Sequence, residues 1–437
     1  MNQTRLSITS RLLACILVGG SIAAATASLN AYAVSGSAYT NPVYAWDFPD
    51  PFVLNVGRIY YAYGTESNGK NIPVLQSEDM INWRLLPDAL PVLPAWASPG
   101  HNWAPSVLQR GDVFVMYYSV RDTASKQQCI SRATSPTPAG PFTDGSTAPL
   151  VCQVLLGGSI DPAPFVDRDG MVYLTWKADT WYGVATLWSQ PLSADGLTLE
   201  GEPVQLLKAD EPWESNIIEA PFMVLQDERY FLFFSGNRWD TAAYATGYAV
   251  CASANGPCVS SSRNPVMAAR GTVTGPGGAS FFTDARGVFH VAYHAWAVGR
   301  VGYSAGGRRT LRVDDVTFTS GMPALHGPTE RATSLGGLVM DHWRGAYAHV
   351  GVALHRMRSA YWQGWNITRV LTYLPAVGGP NVLDGWKNVQ RHGVATQARA
   401  AYARVSSTGT AVSTTRSSPR STRTSIGLPI VAATITR

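Results

Sequence analysis

The chain has 437 residues, enough for one large domain and a further segment. Only 14% are charged, 11% are aromatic, and 41 Gly and 28 Pro punctuate the sequence, which fits a turn-rich β protein better than a helical or disordered chain. The net charge of +5 is uneven: residues 329–437 hold 13 Lys+Arg and 3 Asp+Glu, whereas residues 1–328 hold 21 and 26, so the larger part is acidic, repels phosphate and is excluded as a nucleic-acid binder.

In chain order, the first predicted element is an export signal. Arg5 and Arg11 form a basic start, "LLACILVGGSIAAATA" is apolar, and Ala31-Tyr32-Ala33 is a small-residue cleavage pattern. Cleavage after Ala33 and a secreted, extracellular protein are expected. Cys15 precedes most of the apolar run and reads as part of the signal. No other segment has the length of a membrane span.

The second element is "NPVYAWDFPDPFVLNVGRIYYAYGTES" (41–67). Pro cannot donate to a sheet ladder, so Pro51 belongs at a strand's start, and Asp50 sits at the mouth of that strand. The pattern then recurs. Pro51 leads to Gly57, Tyr60 and Tyr63; Pro105 to Gly111, Phe114 and Tyr117; Pro164 to Gly170, Tyr173 and Trp176; Pro221 to Asp227, Tyr230 and Phe233. A weaker fifth copy runs from Phe281 to Gly287, His290 and Tyr293. In each copy the turn residue lies six positions after the start, and rings follow at three and six. Each unit reads as a hairpin, and the starts are separated by 54, 59, 57 and 60 residues, which leaves room for two more strands per unit. Five units of four strands predict an all-β, five-bladed propeller over residues 34–328.

Four cysteines lie in this span. An even number in an exported chain predicts two disulfides, and sequence proximity pairs Cys129 with Cys152 and Cys251 with Cys258. None has zinc-ligand spacing. After about Pro328 the repeat stops. Residues 329–437 admit three readings: a small carbohydrate-binding sandwich around Trp343, Trp362, Trp365 and Trp386; a basic, irregular and disordered tail that adheres to acidic wall polymers; or sequence that has left its ancestral reading frame.

The innermost strand of each blade lines the channel, so equivalent residues face one another there. Asp50, Asp161 (in "GGSIDPAPFVD") and Glu219 (in "IIEAPFMV") each lie just before the Pro of their repeat. Trp103 holds the place in the second unit, and "GPGGASFF" approaches it in the fifth. Several carboxylates gathered at one mouth split their ionisation, as glycoside hydrolysis requires of its acid and base. Asp47 and Asp50 compete for the base, and only Asp50 keeps the repeat register. Trp46, Trp103, Trp181 and Trp239, with Phe52 beside Asp50, are candidates to meet a sugar's C–H face, although core packing competes for each.

The motifs "FPDPFV" (48–53), "WAPSV" (103–107), "IDPAPFVDRDG" (160–170), "EAPFMV" (219–224) and "AYHAW" (292–296) resemble glycoside hydrolase family 43. The resemblance implies a five-bladed propeller and an inverting hydrolase of arabinose- or xylose-containing wall polysaccharides. It implies Asp50 as general base, Glu219 as general acid, and Asp161 as the third carboxylate that orients the acid and modulates its ionisation. It makes His294 a channel histidine that helps hold a calcium or sodium ion, whereas the residue pattern alone reads it as a satisfied core histidine. No cofactor is needed for the chemistry. An exo-acting α-L-arabinofuranosidase acting on arabinan or arabinoxylan is the first expectation. A β-xylosidase, an endo-1,5-α-L-arabinanase and a non-catalytic sugar-binding propeller are the alternatives.

Overall fold

The computed structural model describes residues 38–180, 183–330 and 333–334. The export signal, Trp181 and the tail tryptophans lie outside the described residues. Among those described, no helix is long and apolar enough to cross a membrane.

Five antiparallel sheets follow one another along the chain. The first blade is Phe52–Val56, Ile59–Tyr63, Val74–Ser77 and Arg84–Leu85. The second is Ala97–Arg110, Val113–Asp122 and Gln128–Ser135, with three strands where four are expected. The third is Ser159–Val166, Val172–Ala178, Thr186–Leu192 and Val204–Lys208, and the fourth is Ile218–Gln226, Arg229–Gly236, Ala245–Cys251 and Cys258–Ser260. The fifth, Val273–Thr283, Phe289–Ala297 and Thr310–Thr319, takes its outer strand from the other end of the propeller: Tyr44–Asp47 pairs with Thr310–Thr319. A repeat count cannot foresee that exchange, which ties the two ends of the propeller together in one blade. Both disulfides form as proximity suggests, Cys129–Cys152 and Cys251–Cys258.

Each gap between neighbouring blades is filled by its own apolar cluster. Tyr63 and Phe114 meet in the gap between the first and second blades. Phe233 and Phe281 stack at 4.0 Å between the fourth and fifth. Rings three residues apart on a strand point to opposite faces, so one repeat motif serves two gaps: Tyr60 packs toward the fifth blade and Tyr63 toward the second.

A buried carboxylate latches the closing segments. Asp314 accepts hydrogen bonds from Tyr293 Oη (2.7 Å), Thr329 Oγ1 (2.6 Å) and Asn41 Nδ2 (3.1 Å). Asp314→Ala leaves the Tyr293 and Thr329 hydroxyls without this acceptor, and a buried unsatisfied group costs about 1–3 kcal/mol. The variant is expected to be destabilised by roughly 3 kcal/mol in urea unfolding. A change within about 0.5 kcal/mol, as for an ordinary surface site, would remove the latch.

Candidate active site

The inner strands share one irregularity. Asp50, Ala104, Asp161, Ala220 and Gly278 all have positive φ, at 51°, 43°, 57°, 51° and 59°. Each marks a bulge where the pairing register shifts or the strand begins. The next residue is Pro51, Pro105, Pro162, Pro221 or Ala279, and these ten residues line one hollow on the propeller axis. Pro has no N–H to lose from the ladder, so it suits a bulge. The repeat is therefore carried by Pro162 in the third blade and not by Pro164. The third and fifth hairpins have longer turns, between Val166 and Val172 and between Thr283 and Phe289, than the two-residue turns of the other three.

This register sorts the carboxylates. Asp50 and Asp161 are equivalent bulge residues, while Glu219 stands one residue earlier, level with Trp103 and Gly277. Four of the five bulge amides are satisfied by side chains on or just beyond the second strands. Ala104 N–H donates to Thr65 Oγ1 (2.9 Å), Asp161 N–H to Ser119 Oγ (3.0 Å), Gly278 N–H to Ser235 Oγ (2.9 Å), and Asp50 N–H to His294 Nδ1 (3.1 Å). Gly278 must be glycine, because a Cβ there would lie 2.6 Å from His294 Nδ1 and 2.9 Å from Asp50 Oδ1. The "GPGG" approach is explained by that crowding.

Asp50 accepts from Thr65 Oγ1 at 2.6 Å and from Arg309 Nη1 at 3.3 Å to each oxygen. Burial pushes its carboxyl up, but the Arg309 guanidinium and the Thr65 hydroxyl outweigh burial and hold it below the ordinary carboxylate range. Asp47, the sequence's rival for the base, accepts Arg309 N–H (2.8 Å) and Tyr303 Oη (3.1 Å), so its carboxylate positions the arginine. Arg309 also lies 4.4 Å over the Trp239 ring.

Glu219, 8% exposed, accepts Lys177 Nζ at Oε2 (2.8 Å) and Tyr244 Oη at Oε1 (2.9 Å). Tyr244 reaches it beside Gly277, where a Cβ would lie 2.3 Å from the tyrosine ring. Asp161 Oδ2 accepts Ala220 N–H at 2.8 Å. Burial and the neighbouring Glu219 charge push Asp161 up to about 8.

The remaining expected residues are more dispersed. Trp103 is half-buried on the second inner strand, edge-on to His101. Trp46 is 55% exposed on the outer strand of the fifth blade, under Arg308. Trp239 stacks on Trp296 near Arg309. Phe52 lines the hollow, and its ring packs 6.1 Å from Phe222 of the fourth blade. His294 is fully buried; burial takes its imidazole down to about 3, so it is neutral at physiological pH. Its Nδ1 is engaged with Asp50, and its Nε2 has no hydrogen-bond partner among the described residues. One imidazole nitrogen is a single ligand, and among the described residues no group of three His, Cys, Asp or Glu fits a metal ion. A calcium or sodium ion beside His294 would take its other ligands from backbone carbonyls and water. Lys177, Tyr244, Arg309 and Thr65 are the site residues that repeat counting misses. A lysine inside the apolar strand "YLTWKA" was the one available signal among them.

The family model for Glycosyl hydrolases family 43 matches residues 39–323. Among curated proteins, an extracellular exo-alpha-(1->5)-L-arabinofuranosidase of Cellvibrio japonicus is 31% identical over 211 residues, covering 43% of this chain and 58% of that protein. The chain thus matches less than two thirds of that relative's length. A beta-D-galactofuranosidase of Aspergillus niger is 26% identical over 284 residues, covering 61% of this chain and 79% of that protein. Among solved structures, a thermostable family-43 glycoside hydrolase superposes with a TM-score of 0.62 at 30% identity, covering 68% of this chain and 98% of that one.

Proposed function

The chain belongs to glycosyl hydrolases family 43, and from that premise we propose that it is a secreted, inverting, exo-acting α-L-arabinofuranosidase of arabinan or arabinoxylan. The observation that carries the reading is a contrast between carboxyls at one mouth. Arg309 and Thr65 hold the Asp50 carboxyl below the ordinary range, while burial and the Glu219 charge push Asp161 up to about 8. Environments that push carboxyls apart in this way suit one base and one acid.

Water lies between Asp50 and the anomeric carbon. Asp50 takes its proton as the oxygen attacks, and Glu219 protonates the departing glycosidic oxygen through an oxocarbenium-like state. Asp161 supplies proton and orientation to Glu219. Trp103, level with Glu219 but on the second blade's inner strand, and Trp239, beside Arg309, offer flat surface to the sugar. The export signal and two disulfides favour an oxidising, extracellular setting. The arabinose preference is supported by the name of the Cellvibrio relative.

The test is hydrolysis by the full-length protein of 4-nitrophenyl α-L-arabinofuranoside, 4-nitrophenyl β-D-xylopyranoside and linear arabinan. Release of single arabinose units is expected. Preference for the xyloside, or internal cuts in arabinan, would move the assignment to xylosidase or endo-arabinanase. Binding without turnover of any of the three would leave a sugar-binding propeller.

A further inference from the structure

One position breaks the five-fold pattern of the site. Counted from each bulge through its cross-strand partner, the second strands place Thr65, Ser119, Lys177, Ser235 and His294 at equivalent positions. Four of these accept the bulge amide of the following blade. An ammonium group has no lone pair to offer. The amide that Lys177 would receive, Ala220 N–H, turns to Asp161 Oδ2 instead (2.8 Å). The lysine, 7% exposed, is left to reach Glu219 Oε2 at 2.8 Å and Asp179 Oδ1 at 3.7 Å.

Resting on the glycosidase reading above, we propose that Lys177 is a positioning residue for the proton of the Asp161–Glu219 pair: it anchors Glu219 through an ion pair and, by refusing the Ala220 amide, delivers that amide to Asp161. A buried ion pair is weak evidence for stability, because desolvation offsets much of the attraction. A serine, as in the second and fourth blades, would satisfy the amide at less cost. The lysine therefore needs a reason in the site's chemistry.

The charged and titratable groups facing the pair are Lys177, Asp179, Tyr244 and, across the mouth, Asp50. Burial alone would push the Lys177 ammonium down, but the carboxylates of Glu219 and Asp179 raise it, so it stays charged. In the free enzyme both Glu219 oxygens accept donors and the shared proton sits on Asp161. It passes to Glu219 as the glycosidic oxygen arrives, and then to that oxygen as its bond to the anomeric carbon breaks. The attacking water's proton goes to Asp50. The pair ends one proton short and Asp50 one proton in excess, and exchange with solvent resets both.

Removing the ammonium makes the pair hold its proton more tightly. The experiment follows carboxyl ¹³C resonances of Asp- and Glu-labelled full-length protein against pH, beside kcat/KM profiles. In Lys177→Ser the midpoint of the pair and the alkaline limb of activity are expected to rise together by about 1–3 pH units, the effect of one opposite charge at this distance. Lys177→Met, which removes the charge without adding an acceptor, should give the same rise if the serine variant folds poorly. Lys177→Arg should leave both at their original values. A folded Ser or Met variant with an unmoved midpoint overturns the proposal. A moved midpoint in a protein that turns over no arabinoside or xyloside supports the lysine's role and overturns the substrate reading alone.

Discussion

Glu219→Gln is expected to lower kcat/KM by about 10²–10⁴-fold on a glycoside with a poor leaving group, the contribution of a positioned general acid. The amide keeps the side chain's shape beside Tyr244, yet it has no acidic proton to give. The loss should shrink for 4-nitrophenyl glycosides, because a nitrophenolate departs with little help. The comparison to make is therefore phenyl against 4-nitrophenyl arabinofuranoside, in the original protein and the variant. An equal loss on both would mean that Glu219 shapes the site without donating a proton.

Asp50→Asn should cost about as much, roughly 10²–10⁴-fold, but with no dependence on the leaving group, since water activation is needed whatever departs. The same carboxylate sets the acid limb. Arg309 opposes burial and holds Asp50 below the ordinary carboxylate value of about 3.9, so activity should persist into acid until Asp50 gains a proton. Arg309→Met removes the lowering charge, leaves burial to act, and should move the acid limb upward. An acid limb that stays in place in Arg309→Met, or an Asp50→Asn variant with near-full activity, would mean that another group activates the water. Asp47 would be the next to examine.

Much of the fold is legible because a propeller repeats. A proline, a turn and two rings recur often enough to give five blades, and the three carboxylates that follow that recurrence are the ones gathered at the mouth. What escaped detection depends on partners distant in sequence. The closing strand Tyr44–Asp47 pairs with residues more than 260 positions away, for a reason that lies in ring closure and not in its own pattern. The third-blade register slipped by two residues because "DPAP" offers two prolines, and only the bulge shows that Pro162 is the structural one. Arg309 lies in "GRRT", where nothing local separates it from Arg308; yet one points over Trp46 and the other holds Asp50. The positive φ shared by Asp50 and Asp161 has no sequence signature beyond the proline that follows.

The measurement that tests the central claim most directly is the anomeric configuration of the first sugar released, followed by proton NMR in the opening minutes of hydrolysis, before mutarotation blurs it. With Asp50 activating water and Glu219 protonating the opposite side, the sugar must appear as the anomer opposite to the substrate's. First appearance of the same anomer would mean that a carboxylate attacked the sugar itself, and the roles given to Asp50 and Glu219 would fall together.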